Sequence, residues 1–366
     1  MELRACYSVA PNFLIALLPY LGVSLTDSYP LKGAGRPVRV EDVAREAGVS
    51  PITVSRALRT PEKVKPETLE RVLEAVRRTH YQVNAIASSL RSGQSTFVSV
   101  FVANLQNQHF AAAMQGAIDA FEGSRFHLMF AQTGYADDLS AERFKALLPF
   151  RPAAIMLTGA VRDAGTREFL ADLGVPVMEM WGEQPDPVDM LASSGGREGG
   201  YLMGTHLGEQ GYRRIAYVGQ ANHGSAWRID GFIEGLKPFG IEPALILPME
   251  GMQQIEDGVA AFDRVLAELP DCDAIFFGSD VTAAGAVIRA LERGMPVPER
   301  IAIAGYGDLY FAAHIQPRLT SVHVFDYEVG KQAGQMLLRR LNGESIAQPV
   351  IQVPVRLEIR GSTTRL

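Results

Sequence analysis

The sequence predicts a multidomain protein in which a small all-α domain precedes a larger α/β core of two lobes built on parallel sheets. Its 366 residues exceed what one compact core usually holds. Helical periodicity marks residues 40–79, and short apolar runs alternate with amphipathic segments beyond residue 96. Hydrophobic residues make up 47% of the chain and charged residues 21%, which is ordinary for a soluble globular protein.

Residues 40–58 predict two short helices around a tight turn, which is a helix-turn-helix. The first helix collects its apolar residues on one face: Val40, Val43, Ala44 and Ala47. Gly48 suits a left-handed helix end, Ser50 can cap the next helix, and Pro51 can begin it without losing a hydrogen bond. The second helix turns Val54 and Leu58 inward. Its outward side chains are Ile52, Thr53, Ser55, Arg56 and Arg59.

Two further helices are predicted before the core. The third helix runs from Pro66 to about Thr79, with its apolar residues at helical spacing: Leu69, Val72, Leu73 and Val76. Asn84 can cap a short helix over residues 85–91. Residues 92–95 have the composition of a linker.

Beyond residue 96 the pattern is that of alternating strands and helices. The expected strands are the apolar runs Phe97–Val102, His127–Ala131, Ala153–Leu157, Val175–Met180, Ile215–Val218, Ala274–Phe277 and Ile301–Ala304. Helical patterns separate them at residues 109–122, 140–148, 197–210, 254–268 and 280–292. This alternation predicts parallel sheets with helices on both faces, in two lobes, with ligand sites at the carboxyl ends of the strands.

Charge is divided unevenly along the chain, whose net charge is −6. Residues 36–92 carry eleven Lys and Arg against seven Asp and Glu, a local net charge of +4. Residues 1–35 balance at zero, so the remaining 274 residues hold −10. A small basic module on a large acidic body is the asymmetry expected of a DNA-reading domain with a separate sensor.

Several other classes of protein find little support in the sequence. The two cysteines, Cys6 and Cys272, lie far apart, and no CxxC, HExxH or GxSxG motif is present. We therefore expect a reducing compartment, no metal, no cofactor and no enzymatic activity. The apolar run Phe13–Leu18 is ended by Pro19, far short of a membrane span, so we interpret residues 1–35 as a disordered extension or a misassigned start.

The segment VEDVAREAGVSPITVSRAL at residues 40–58 closely resembles the signature of the lactose-repressor (LacI/GalR) family. NAIASSLRSGQS at 84–95 resembles the hinge helix of that family. Its periplasmic-binding-protein-like core is matched by GYRRIAYVG at 211–219, AIFFGSD at 274–280, IAIAGYGD at 301–308 and PRLTSV at 317–322. NQHF at 107–110 and TGY at 133–135 are most similar to the gluconate-utilisation repressors. The chain departs from the family pattern at Val83, where a proline often precedes the hinge.

The resemblance implies four segments. Residues 1–35 form the extension, residues 36–83 the helix-turn-helix DNA-binding domain, residues 84–95 the hinge helix and linker, and residues 96–366 the two-lobed effector-binding and dimerisation domain. The expected partners are double-stranded operator DNA, a sugar or sugar-acid effector and a second copy of the chain. We expect a dimer in the cytoplasm, with no membrane association.

The residues that read DNA are expected on the second helix and the hinge. Thr53 and Ser55 can hold phosphates, and Arg56 can donate two hydrogen bonds to one guanine. Pro51 and Ile52 occupy reading positions of the family but offer only apolar contact. The resemblance also implies Asn84 as hinge cap, Ala87 at the hinge–hinge approach, and Leu90 wedged into the minor groove. Packing of Leu90 on the core is the alternative.

The resemblance assigns Arg228, within SAWRIDGF, to the effector, where it can bind hydroxyls or a carboxylate. A surface ion pair of Arg228 is the alternative. Asp308 can accept sugar hydroxyls, although the acidic ligand of the family aligns with Gly307. Trp181 is a sugar platform or a packing residue. Further candidates lie in strand-end loops: Asn107, His109, Phe110, Tyr135 and Ser279.

Three other interpretations stay open. The glycine-rich segment Gly195–Gly200 opens a helix like a phosphate-binding loop, but it lacks both GxGxxG spacing and a P-loop lysine. A secreted sugar-binding protein fits the core but conflicts with the helix-turn-helix. An enzyme of sugar metabolism has only the α/β pattern in its favour. The sequence does not decide whether an effector releases the protein from DNA or promotes its binding.

Overall fold

The computed structural model of the chain describes residues 38–81, 95–134, 144–145, 151–184, 186–220, 223–251 and 253–365. The chain divides into two compact units, Met1–Asn84 and Ala85–Leu366. Among the described residues, no helix combines the length and the apolar character that crossing a bilayer requires.

The described part of the first unit, residues 38–81, contains three α-helices and a short 3-10 turn at Pro61–Lys63. The helices are α1 (Val40–Ala47), α2 (Pro51–Arg59) and α3 (Pro66–Thr79). Gly48 ends α1 at φ 63°, and the Ser50 hydroxyl accepts a hydrogen bond from the Thr53 amide to cap α2. A small apolar core joins the helices: Val43, Ala44, Ala47, Val54, Ala57, Val72 and Ala75. Leu73, which periodicity placed with the inward residues, is exposed, and Ala75 takes a core position instead.

The second unit contains two six-stranded sheets, whose strands are distributed between two lobes. Lobe 1 holds a fully parallel sheet in the order β11-β5-β4-β3-β1-β2. Its strands are β1 (Phe97–Val102), β2 (His127–Gln132), β3 (Ala154–Thr158), β4 (Val177–Met180), β5 (Met190–Ser194) and β11 (Val350–Val353).

Lobe 2 holds the sheet β12-β10-β9-β8-β6-β7, in which the pairing of β10 with β12 alone is antiparallel. Its strands are β6 (Ile215–Gln220), β7 (Leu245–Met249), β8 (Ala274–Phe277), β9 (Ala302–Gly307), β10 (Thr320–His323) and β12 (Arg356–Glu358). The two-sheet α/β core with mostly parallel strands confirms the predicted fold class.

Seven α-helices of the second unit are described, with a further 3-10 turn at Lys237–Phe239. They are α4 (Gln108–Phe121), α5 (Ala164–Asp172), α6 (Gly196–Glu209), α7 (His223–Leu236), α8 (Ile255–Glu268), α9 (Asp280–Glu292) and α10 (Asp326–Leu341). Three pairs pack closely: α4 with α10, α6 with α7, and α8 with α9. A Cβ on Gly200 would lie 2.0 Å from the Arg228 carbonyl oxygen, so this glycine lets α6 approach the α7 backbone.

The chain crosses between the lobes three times. It leaves lobe 1 after β5 and enters lobe 2 at α6, which packs on α7 and β12. It returns after β10 to α10, which packs on α4, β4 and β5 of lobe 1. It crosses again between β11 and β12. The lobes meet where His109 of α4 lies against Gly307 of β9 and Glu183 accepts from the Arg197 amide of α6, and we call this junction the inter-lobe cleft.

A buried polar cluster ties the residues after β12 to lobe 2. His206 on α6 is 3% exposed, and its Nε2 lies 2.7 Å from the Thr363 hydroxyl. That hydroxyl also lies 2.7 Å from the hydroxyl of Thr320 on β10, and the Tyr212 hydroxyl donates to the Thr363 carbonyl. Burial lowers the pKa of His206 from 6.5 to about 4, so the imidazole is neutral in the folded protein.

This depressed pKa predicts acid destabilisation through His206. Because the unfolded chain binds the proton more tightly, the free energy of unfolding should fall as the pH drops from 6.5 to about 4, by roughly 3 kcal/mol. His206→Gln has no proton to take up and should lack this component. Urea unfolding between pH 7.5 and 4 measures the free energy of unfolding of both proteins. The difference between the two proteins isolates the contribution of His206, because buried acids contribute the same amount to each. Parallel stability curves would contradict the assignment.

Candidate functional sites

Helix α2 of the first unit presents its predicted reading face to solvent. Pro51, Ile52 and Arg56 are exposed, and the exposed fraction of Ile52 is 70%. Thr53 and Ser55 are half-buried, and the Thr53 hydroxyl lies 2.8 Å from the Ser50 hydroxyl in the helix cap. Among the described residues, Arg56 forms no ion pair. The helix therefore offers a guanidinium and an apolar side chain on a surface free to meet a ligand.

Four predicted site residues lie outside the described part of the chain. Three belong to the hinge, namely Asn84, Ala87 and Leu90, and the fourth is Tyr135. Their roles stay predictions.

Arg228 on α7 is the central cation of the inter-lobe cleft. Its Nη1 donates to the Gly278 carbonyl at 2.8 Å, and its guanidinium carbon lies 3.6 Å from the centre of the Tyr306 ring. Its Nε is buried without a hydrogen-bond partner among the described residues, as is the hydroxyl of the neighbouring Tyr217. Stacking, one carbonyl and the nearby hydroxyls of Tyr217 and Tyr306 thus hold the arginine, and its Nε donor is unpaired among the described residues.

The carboxyl ends of β8 and β9 carry two acidic residues that are already bonded within lobe 2. Asp280 is fully buried and accepts from the Ser321 hydroxyl at 2.6 Å and from the Leu309 amide at 2.7 Å. Burial raises the pKa of Asp280 to about 6. Ser279, a predicted ligand, caps α9 by accepting from the Val281 amide. Both oxygens of Asp280 therefore already accept a hydrogen bond within lobe 2.

Asp308 differs from the expectation of a sugar-hydroxyl acceptor. Its Oδ1 pairs with Arg360 at 2.7 Å, and its Oδ2 lies 2.8 Å from Nδ1 of His323. Its backbone is in the left-handed region, at φ 52°, and its amide donates to the Ser321 hydroxyl. The carboxylate thus fastens β9 to β10 and to the residues after β12.

Lobe 1 contributes the start of α4 and the end of β4. Asn107 caps α4 by accepting from the His109 amide at 3.0 Å. His109 reaches Asp326 of α10, with 2.5 Å between Nδ1 and Oδ2. Burial lowers the pKa of His109, but Asp326 and Asp280 outweigh that effect, so the pKa lies above 6.5. Phe110 packs edge-on against Trp181, with ring centres 4.8 Å apart, which identifies Trp181 as a packing residue in this structure.

The glycine-rich opening of α6 is occupied by a carboxylate from the other lobe. The Arg197 amide donates to Oε1 of Glu183 at 2.8 Å, and Glu183 follows β4 of lobe 1. Since this acid fills the place where a phosphate would bind, the glycines there serve close packing. Among the residues that the structure describes, no group of three or more His, Cys, Asp and Glu side chains could hold a metal ion.

The site residues expected from the sequence include Arg228 and His109, whose roles stay predictions. They do not include Tyr306, Glu183 and Asp326, which the structure places near these two residues. Tyr306 lies inside the motif at 301–308, where its apolar neighbours indicate a strand and nothing marks a ligand-facing ring. Asp326 carries no motif, and its place in the cleft depends on the chain crossing after β10 and on the packing of α10 against α4. No local pattern encodes such a placement.

Two regions of the chain match known families. Residues 39–84 match the family described as bacterial regulatory proteins, lacI family, and residues 205–363 match the periplasmic binding protein-like domain. The HTH-type transcriptional regulator GntR of Pseudomonas aeruginosa is 31% identical over 338 residues, which cover 90% of this chain and 96% of that protein. The regulator IdnR of Escherichia coli is 28% identical and covers 83% of this chain and 92% of its own length.

Solved structures agree in fold. A LacI-family transcriptional regulator from Silicibacter pomeroyi superposes with a TM-score of 0.82 at 26% identity, covering 90% of this chain and all of that one. The lac repressor dimer bound to operator has the same fold, with a TM-score of 0.77 at 23% identity, covering 90% of this chain and all of that one. The helix-turn-helix unit, the two-lobed core and these similarities lead to one conclusion: the chain belongs to the LacI family of bacterial transcriptional regulators.

Proposed function

We propose that this protein represses genes of sugar or sugar-acid utilisation, binds a pseudo-palindromic operator as a dimer, and is released by a small-molecule effector such as gluconate. The observation that carries the proposal is the presence, in one chain, of an exposed reading helix and of a buried arginine with uncommitted donors at an inter-lobe junction. The site of action is the cytoplasm, where operator DNA lies.

DNA reading rests on α2. A helix of this motif enters the major groove, and a dimer places two such helices in adjacent turns of the duplex. Arg56 supplies the donors that guanine O6 and N7 accept, and the exposed Ile52 supplies apolar contact to a thymine methyl. The local charge of +4 over residues 36–92 attracts the phosphate backbone. The helix-turn-helix unit leaves a secreted sugar-binding protein without support.

Effector binding rests on Arg228. A buried guanidinium without a carboxylate partner is unfavourable unless a ligand supplies the missing acceptors. A sugar acid offers a carboxylate that can accept two parallel hydrogen bonds. Because the site lies where the lobes meet, a ligand that binds one lobe arrangement better shifts the population towards it. The relatives GntR and IdnR support a regulator of this class.

Dimer formation rests on an apolar stripe along the α8–α9 pair. Ile288 and Leu291 lie one turn apart on α9, and both are exposed. Ile255 at the start of α8 is also exposed, and its carbonyl lies against Gly285, one turn before Ile288. Exposed apolar side chains that form a continuous stripe favour an interface between copies of the chain.

Arg56→Ala should reduce specific DNA binding by roughly 1–3 kcal/mol, because the lost pair of hydrogen bonds discriminates between bases. The fold should persist, since the side chain is exposed. Fluorescence anisotropy on an operator selected from random DNA, and on a scrambled duplex at the same salt, measures the specificity ratio. Arg71→Ala removes an exposed arginine from α3 and serves as control. An unchanged ratio in Arg56→Ala would show that α2 is not the reading helix.

Arg228→Ala should bind operator as the wild type does. Its affinity for gluconate should fall by roughly 10- to 150-fold, because charge-assisted hydrogen bonds contribute about 1.5–3 kcal/mol to binding. Arg228→Lys should recover little, because an ammonium cannot donate in parallel to two oxygens. Calorimetric titration with gluconate and with glucose measures this. Arg264→Ala, which breaks a surface ion pair on α8, is the control.

Two outcomes would count against the effector assignment in different ways. Tight binding of glucose alone would reject the sugar acid but keep the cleft. Unchanged operator release from Arg228→Ala by the true effector would reject both.

Leu291→Asp should shift the protein from dimer to monomer, because a charge would be buried in the proposed interface. Sedimentation equilibrium at micromolar concentration reports the mass. Ile359→Asp introduces the same charge at a position with the same exposed fraction, 57%, and should stay dimeric. A wild-type monomer or tetramer would refute the proposed dimer. A dimeric Leu291→Asp would show that the apolar stripe is not the dimer interface.

A further inference from the structure

The inter-lobe cleft lacks an acidic side chain where the family pattern places one. Gly307 occupies that position at the end of β9, with φ 126°. Its neighbour Asp308 has both oxygens engaged by Arg360 and His323. Asp280 has both oxygens engaged by Ser321 and Leu309. Each of these carboxylate oxygens therefore already accepts a hydrogen bond or ion pair within lobe 2.

Lobe 1 supplies a carboxylate with one oxygen that accepts no hydrogen bond among the described residues. Asp326, the first residue of α10, is 7% exposed, and its Oδ2 is held by His109 at 2.5 Å. Its Oδ1 is buried and has no hydrogen-bond partner among the described residues. A buried carboxylate oxygen without a donor is unfavourable, and such an atom calls for a partner.

Asp326 faces the same aromatic ring as Arg228. The Tyr306 hydroxyl lies within electrostatic reach of both side chains, and the Tyr306 ring stacks on the Arg228 guanidinium. No ion pair joins Arg228 to Asp326 in the part of the chain that the structure describes. Among the described residues, Arg228 thus has an unpaired Nε and Asp326 an unpaired Oδ1, and both side chains interact with the same tyrosine.

Gly307 leaves room for the His109 ring that holds Asp326. A Cβ built on it would lie 2.4 Å from Cε1 and 2.5 Å from Nε2 of His109, so any side chain would displace the imidazole. The ring of His109 rests against the β9 backbone and holds Asp326 through its other nitrogen. The glycine at position 307 therefore leaves room for the imidazole that holds Asp326.

We infer that Asp326 is an effector-binding residue, which accepts a hydroxyl of the ligand whose carboxylate Arg228 binds. This assignment rests on the proposed function and narrows the effector to hydroxy acids. The acceptor comes from lobe 1 and the cation from lobe 2, so one ligand contacts both lobes. Since Oδ1 has no exposed surface, the side chains that cover it must shift before the hydroxyl can reach it.

A thermodynamic cycle between protein and ligand tests the contact. The probes are gluconate and its monodeoxy derivatives, each titrated by calorimetry in the absence of DNA. In the wild type, removal of one particular hydroxyl should weaken binding by roughly 10- to 100-fold, as expected for a hydrogen bond to a charged acceptor. In Asp326→Ala, the same removal should change the affinity less than about threefold, because the acceptor is gone.

The control separates contact from structural damage. Asp119→Ala removes an acid that also joins α4 to α10, by accepting from the Tyr327 hydroxyl at 2.9 Å, but on the outer surface. Asp119→Ala should lose as much affinity as the wild type when the ligand lacks that hydroxyl. If Asp326→Ala fails to fold, Asp326→Asn takes its place, because it retains the shape of the side chain. Removal of the hydroxyl should then weaken binding less than it does in the wild type.

The possible failures are distinguishable. If Asp326→Ala and Asp326→Asn weaken every ligand by the same factor, Asp326 is structural and the inference is overturned, while the proposed function stands. A wild-type protein that binds gluconate weakly or not at all overturns the ligand class and this inference together. A wild-type protein that does not bind operator rejects the repressor role. The ligand titrations of the Asp326 variants still test the inference, because they contain no DNA.

Discussion

The stacking of the Arg228 guanidinium on Tyr306, with the Gly278 carbonyl at its edge, is the interaction around which the core is arranged. It keeps a cation at the lobe junction without neutralising it by a carboxylate. The nearby acids are committed to other partners, Asp280 to Ser321 and Leu309, and Asp308 to Arg360 and His323. This arrangement leaves a guanidinium at the junction without a carboxylate partner among the described residues, which favours an anionic ligand.

Two contacts between the lobes bring a side chain of one lobe against the backbone of the other. Glu183 of lobe 1 accepts from the first turn of α6 in lobe 2, and His109 rests on the backbone of Gly307. Such contacts are lost together when the lobes part. A ligand that bridges the junction replaces them with its own hydrogen bonds, and the difference between the two sets determines which lobe arrangement it favours.

The fold class and the helix-turn-helix could be predicted from the sequence because their signals are local. Gly48, Ser50 and Pro51 determine the ends of two helices, and periodicity placed α8 and α9 within one residue of their observed bounds. The site was only partly predictable. No local pattern indicates the ion pair of Asp308 with Arg360 from beyond β12. Asp326 likewise comes near Tyr306 through a crossing that no local pattern reveals.

The three crossings also determine the order in which the core can be completed during synthesis. Lobe 1 includes α10 and β11, which the ribosome makes only after nearly all strands of lobe 2. Until then the apolar faces of β4, β5 and α4 lack their cover. The helix-turn-helix unit, by contrast, is contiguous and can fold as soon as it emerges. The two lobes must therefore mature together, and a nascent chain stalled before α10 would expose surface that chaperones recognise.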